Sequence, residues 1–79
     1  MFLEALEHLV KGIVEHPEDV CVTSRPLRRG QVLRTQVHPD DLGKVIGRRG
    51  RTAQALRTVM SALAGRSVRV DLVDRHGAR

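Results

Sequence analysis

Two arginines held between two glycines, Gly47-Arg48-Arg49-Gly50, are the residues best suited to chemistry in this sequence, with Lys44 and Arg51 beside them. The chemistry is the capture of phosphate. Glycine permits a positive φ and carries no Cβ to obstruct an approaching ligand backbone. A helix that starts directly after such a link offers free N–H groups and the positive end of its dipole to an anion. Val45 and Ile46 precede the link and are expected to line an apolar groove beside it, where bases pack without aromatic rings. The plain alternative is a structural helix–helix turn whose glycines only stop and start helices. Two adjacent arginines are unnecessary for that.

Other reactive side chains form no comparable pattern. His8, His16, His38 and His76 show no metal-ligand spacing, so no metal is expected. Cys21 lies between Val20 and Val22 and reads as a small sheet residue. Asp40 and Asp41 follow Pro39, where they suit the start of a helix better than paired catalytic work. Gly43-Lys44 lacks the following Ser or Thr and the glycine spacing of a P-loop. No Ser-His-Asp or Cys-His arrangement can be argued. No enzyme, cofactor or small-molecule substrate is expected.

The chain has 79 residues, enough for one domain, with a single cysteine and so no internal disulfide. No stretch approaches the ~20 apolar residues of a membrane span, and residues 1–10 lack the basic start of a signal peptide. A soluble cytoplasmic protein is the default expectation, with no membrane association. Phe2 is the one aromatic residue, which removes stacking platforms for single strands. The charge is strongly segregated. Residues 1–24 carry a net −4, residues 25–70 carry +9, and residues 71–79 balance. So basic a middle segment favours a phosphate-bearing partner.

The elements that must position the arginines follow from periodicity. Phe2, Leu6, Leu9 and Ile13 predict a helix over residues 2–15, ended by His16-Pro17. Residues 20–25 and 31–37 read as strands, the second with Leu33, Thr35 and Val37 on one face, and residues 26–30 read as the turn of a hairpin. Pro39 opens a short helix that Gly47 stops. A second helix runs over residues 50–64, burying Ala53, Leu56, Val59 or Met60, and Leu63, with Gly65 as its stop. Residues 67–73 alternate as a last strand, Val68, Val70 and Leu72 opposed to Arg69, Asp71 and Val73. Reached through two helices, that strand should lie parallel to a neighbour. The expected fold class is α+β: a two-layer α-β-β-α-α-β domain over residues 1–74, with a three-stranded mixed sheet, helices on one face and a flexible tail at 75–79.

The stretch Leu42-Gly43-Lys44-Val45-Ile46-Gly47-Arg48-Arg49-Gly50-Arg51-Thr52 resembles the V-I-G-x-x-G signature of KH domains, and the element order resembles their type II form. The likeness covers nearly the whole chain and is to the small bacterial single-KH proteins of the KhpA (YlqC-like) family. It implies binding of single-stranded RNA, about four nucleotides held between the GxxG link and a hydrophobic groove. Carried over by position, Gly47, Arg48, Arg49 and Gly50 form the clamp, Val45 and Ile46 match the apolar pair before it, and Arg51 and Thr52 match the start of the next helix. Lys44 flanks the clamp, and Arg28 and Arg29 in the hairpin turn are peripheral candidates for phosphate contact. The resemblance also implies a homodimer or a heterodimer with a KhpB-type KH protein, and links to small regulatory RNAs and envelope growth. From the residues alone, a DNA-binding helix–loop–helix and a protein-interaction subunit with an incidental basic face stay open.

Overall fold

The chain runs through α1 (Phe2–Lys11), β1 (Cys21–Leu27), β2 (Gly30–Val37), α2 (Leu42–Ile46), α3 (Arg51–Ala64) and β3 (Val68–Asp74), the α-β-β-α-α-β order expected from periodicity. These elements come from a computed structural model that describes residues 2–74. The tail at 75–79, expected to be flexible, lies outside the described residues. Short 3-10 turns at Pro17–Asp19, Pro39–Asp41 and Arg48–Gly50 precede β1, α2 and α3.

The sheet has the order β1-β2-β3, with β1 antiparallel and β3 parallel to the central strand β2. Parallel neighbours need a crossover, and α2 and α3 supply it. Alternation decides which face is buried. Leu33, Thr35 and Val37 of β2 are fully buried, joined by Val68, Val70 and Leu72 of β3. Leu6 and Val10 of α1, Leu42 and Val45 of α2, and Leu56 and Met60 of α3 cover that face. The result is a two-layer α+β domain.

Several boundaries differ from the sequence expectation. α1 ends at Lys11, four residues early. Gly12 weakens the helix there, and Asp41 takes the backbone N–H groups of Glu15 at 3.2 Å and His16 at 3.0 Å, which a longer helix would have used. β1 continues through Pro26 and Leu27, leaving only Arg28 and Arg29 as the turn. As an edge strand it loses no ladder bond to the missing proline N–H. On α3 the buried row is Leu56 and Met60, with Ala53 and Ala64 packed against the core. The helix therefore packs along an i, i+4 ridge, which leaves Val59 42% and Leu63 60% exposed. Val73 is buried although alternation places it on the other face from Leu72.

One buried polar atom stands alone. The Thr35 hydroxyl has no hydrogen-bond partner among the described residues, although its side chain is fully buried. Replacing Thr35 with valine keeps the shape and the β-branch and removes the unpaired hydroxyl. The variant is expected to gain about 1 kcal/mol of unfolding free energy, read as a higher midpoint in urea.

Candidate nucleic-acid interface

α2 is little more than one turn, and its end is set by a change of backbone sign. The Gly47 N–H still bonds to Gly43 O at 2.9 Å, but Gly47 itself turns to φ 79°. Arg49 follows at φ 56° and Gly50 at φ 72°, so three of the four residues in the link are left-handed. Two of them need glycine for different reasons. A Cβ on Gly47 would stand 2.8 Å from the backbone nitrogen of Thr52 and collide with the Thr52 side chain, whereas a Cβ on Gly50 would meet open space. Position 47 is sterically closed to side chains; position 50 is restricted by its dihedrals alone.

Arg49 is the one described residue other than glycine with a positive φ. For an L-residue that conformation costs about 1–2 kcal/mol, and here it points to a functional constraint. Arg49 lines a cavity of about 250 Å³ between α2, α3 and β3. Ile46, Ala53, Val70 and Leu72 give the cavity its aliphatic lining. Gln54 and Arg57, one turn further along α3, add polar groups above it. Among the described residues β3 is hydrogen-bonded to β2 on one side only, and no strand pairs with its other backbone edge. Gly50, at the N-cap of α3, has no side chain to cap the helix, and the Arg51 N–H turns back to Arg48 O, so the positive end of the helix dipole faces the link without a side-chain acceptor from the cap.

The candidate residues do not all come together. Ile46, Arg49 and Gly50 meet in the groove, with Gly47 and exposed Arg48 in the adjoining link. Val45 does not join them: it is fully buried, because on so short a helix it faces the sheet, so it offers the groove no surface. Thr52 is half-buried against Gly47 and sets the close approach there. Arg51 is exposed on the first turn of α3. Lys44 is exposed but reaches back to the Glu15 carboxylate, an ion pair between α2 and the α1–β1 connection. Arg28 and Arg29 lie at the other end of the molecule: Gly30, beside them, abuts Ser67 at the start of β3, whereas the link lies a whole α3 away, about 21 Å of helix. Arg57, Gln54, Val70 and Leu72 were missed as groove residues. Their only signal in the sequence is that residues 53, 54 and 57 share a helical face.

A second cluster comes from residues far apart in sequence. His16, His38 and Asp40 bring possible metal-ligating atoms within 4.8 Å of one another. The two imidazoles, however, are stacked, with centroids 3.9 Å apart and planes 14° from parallel. Their in-plane lone pairs run side by side and do not converge on one point. His16 Nδ1 lies 3.0 Å from Asp41 Oδ2, and His38 Nδ1 accepts from the Asp40 N–H at 3.0 Å. The cluster is thus a latch holding the α1–β1 connection to the start of α2. The hydrogen bond to Asp41 raises the His16 pKa above its ordinary value, with desolvation opposing and the charges of Asp41, Glu18 and Asp40 adding.

Solved structures with this architecture carry it within larger chains. Era in complex with MgGDPNP and nucleotides of 16S ribosomal RNA matches at TM-score 0.59 and 16% identity, over 92% of this chain and 29% of that one. Aquifex aeolicus Era bound to GDP and aluminium fluoride matches at TM-score 0.58 and 15% identity, with the same coverage. These likenesses concern the fold alone. With its helix–link–helix between parallel strands, the molecule is a KH domain of type II. Residues 3–72 match the family model of the KhpA/KhpB KH domain, and the chain belongs to that family. It is 74% identical to the RNA-binding protein KhpA of Streptomyces coelicolor over 74 residues, 94% of each chain. To the RNA-binding protein KhpA of Leifsonia xyli subsp. xyli it is 61% identical over 75 residues, 94% of this chain and 99% of that one. The RNA-binding protein KhpA of Mycobacterium tuberculosis is 58% identical over 72 residues, 91% of this chain and 90% of its own.

Proposed function

We propose that the chain binds single-stranded RNA in the groove between the 47–50 link and β3. The observation that carries this reading is the link itself: a left-handed Arg49 between two left-handed glycines, opening onto an aliphatic groove. Arg48 and Arg49 supply guanidinium donors to phosphate oxygens. The glycine backbone allows the sugar-phosphate chain to come close, and the uncapped start of α3 favours its charge. Bases pack on Ile46, Ala53, Val70 and Leu72, and their edges meet the unpaired backbone of β3. Such a groove holds about four nucleotides.

A single groove of this kind binds modestly, and a second KH chain would add avidity. A copy of this chain, or a larger KhpB-type protein, is the proposed occupant of the exposed Val59 and Leu63 face of α3. The setting proposed is the cytoplasm, with a role as RNA chaperone or post-transcriptional regulator. No helix among the described residues is long and apolar enough to cross a membrane.

The test is competition between single-stranded RNA and duplex DNA of equal length, read by fluorescence anisotropy across a salt series. Single-stranded RNA should win, with log K falling against log[salt] by about 0.7 for each of about two to four phosphates contacted. A preference for the duplex, or a slope near zero, would overturn the reading.

A further inference from the structure

The face of the sheet turned away from the helices is also rich in arginine. Register places Arg25, Val32 and Arg69 in one row across the three strands, and Thr23, Arg34 and Asp71 in the next. Directly paired residues share a face, so Arg25, Arg34 and Arg69 stand together opposite the buried side. From a strand spacing of ~4.8 Å and a rise of ~3.4 Å, their attachment points are about 8–10 Å apart. All three are exposed. Asp71 is the one carboxylate in these two rows, and it is engaged at 3.3 Å by Arg69 Nε. No ion pair reaches Arg25 or Arg34 among the described residues. Like charges so close repel, and a polyanion laid across them would relieve that repulsion.

The surface has shape as well as charge. A depression of about 440 Å³ lies across the strands on this side, lined by Arg25, Arg34 and Asp71, by Thr23 and Ser24, and by the apolar Val32 and Leu27. It is larger than the groove beside the link, and the exposed tip arginines Arg28 and Arg29 continue the positive charge past one end of it. β3 connects the two faces. Its Val70 and Leu72 line the groove on the helix side, while Arg69, between strand neighbours, stands on the other. A nucleic-acid strand leaving the groove over the free β3 edge meets Arg69 first, then Arg34 and Arg25.

We propose that this arginine face of the sheet is a second contact surface for the RNA backbone, continuous with the groove around β3, so that longer RNAs wrap the sheet. The proposal rests on the single-stranded RNA reading above. The recognition is of phosphodiester charge by guanidinium groups, with Val32 and Leu27 offering apolar contact to sugars or bases, and it carries no base specificity. A strand already held in the groove meets this face at high effective concentration.

The experiment compares the unaltered chain with the Arg25→Gln, Arg34→Gln, Arg69→Gln triple variant. Each is titrated with a single-stranded RNA of about five nucleotides and one of about twenty that contains it, across a salt series. The short RNA fills the groove only, so its affinity should be the same for both proteins. For the long RNA the variant should bind about tenfold more weakly, with a salt slope shallower by about 2, corresponding to three lost contacts. The matching Arg→Lys triple variant should keep most of the long-RNA affinity. Equal affinity and equal slope for the long RNA would overturn the proposal. So would a change in sedimentation without a change in RNA binding, which would assign the face to the acidic helix of a second copy. Loss of short-RNA binding in the variant would also overturn it, since the two surfaces would then not be separate. Failure of the groove reading looks different: short-RNA binding would survive Arg48→Asp with Arg49→Asp, whatever the outer face does.

Discussion

The double replacement Arg48→Asp and Arg49→Asp is expected to weaken single-stranded RNA binding by about a hundredfold near physiological salt, with the thermal midpoint almost unchanged. Two cations become two anions at the place where the phosphate chain is proposed to pass. Two lost contacts alone remove about 1.4 from the salt slope, and like-charge contact adds a penalty of its own. The fold should tolerate the change. Arg48 and Arg49 are both exposed, and aspartate is among the few residues that accept a left-handed backbone like the φ 56° of Arg49. Anisotropy titrations with a short RNA, with circular dichroism melting as the control, make the measurement. Affinity within about threefold of the unaltered chain would remove the link from the binding surface. It would then favour a protein-interaction role in which the basic face is incidental.

The second large effect concerns stability, and it arises far from the groove. Asp41→Ala is expected to lower the unfolding free energy by about 3 kcal/mol. The Asp41 side chain is 1% exposed and accepts from Glu15 N, His16 N and the His16 ring, so its removal leaves two backbone donors of the α1–β1 connection unpaired. Asp41→Asn retains one carbonyl acceptor and should fall between the two. The same contact carries a pH signature. The folded-state pKa of His16 is raised, chiefly by its hydrogen bond to Asp41. The unfolded chain therefore releases that proton first as pH rises. The stabilisation is fully present below the unfolded value of about 6.5 and disappears as pH passes through the raised folded value. Urea midpoints of the unaltered chain should decline across that interval, and the decline should flatten in Asp41→Ala. An equal decline in both proteins would assign the dependence to other groups.

Neither effect is equally visible in the amino-acid order. The proposed clamp is a local feature: Gly47, Arg48, Arg49 and Gly50 are consecutive, and the positive φ at Gly47 and Gly50 suits glycine, whereas the positive φ at Arg49 has no signal in the sequence. The signature and the element order can therefore be read directly, along with the alternation that puts Leu33, Thr35 and Val37 on one face. Asp41 was read as a helix-start carboxylate, which is its local position. Its larger role is to accept hydrogen bonds from residues 25 and 26 positions away, and no local pattern encodes that partner.

Burial on α3 shows the same division. Periodicity alone admits either Val59 or Met60 and includes Leu63. Packing of α3 on the sheet buries Leu56 and Met60 and leaves Leu63 exposed. Its place just before the link predicts Val45 as groove lining, but the facing of α2 on the sheet buries it. Charge segregation was plain as a count, whereas its division between a groove and the outer sheet face depends on strand register.

By itself, then, the sequence determined the α+β class, the element order, the family likeness and the position of the glycine-flanked link between the two helices, because each depends on neighbours within a few residues. Tertiary structure alone decided which wall completes the groove, which apolar side chains stay exposed, that His16 and Asp41 form a latch, and that three arginines from three strands share one surface. Those are properties of register and packing, set by contacts between segments that the chain order keeps apart.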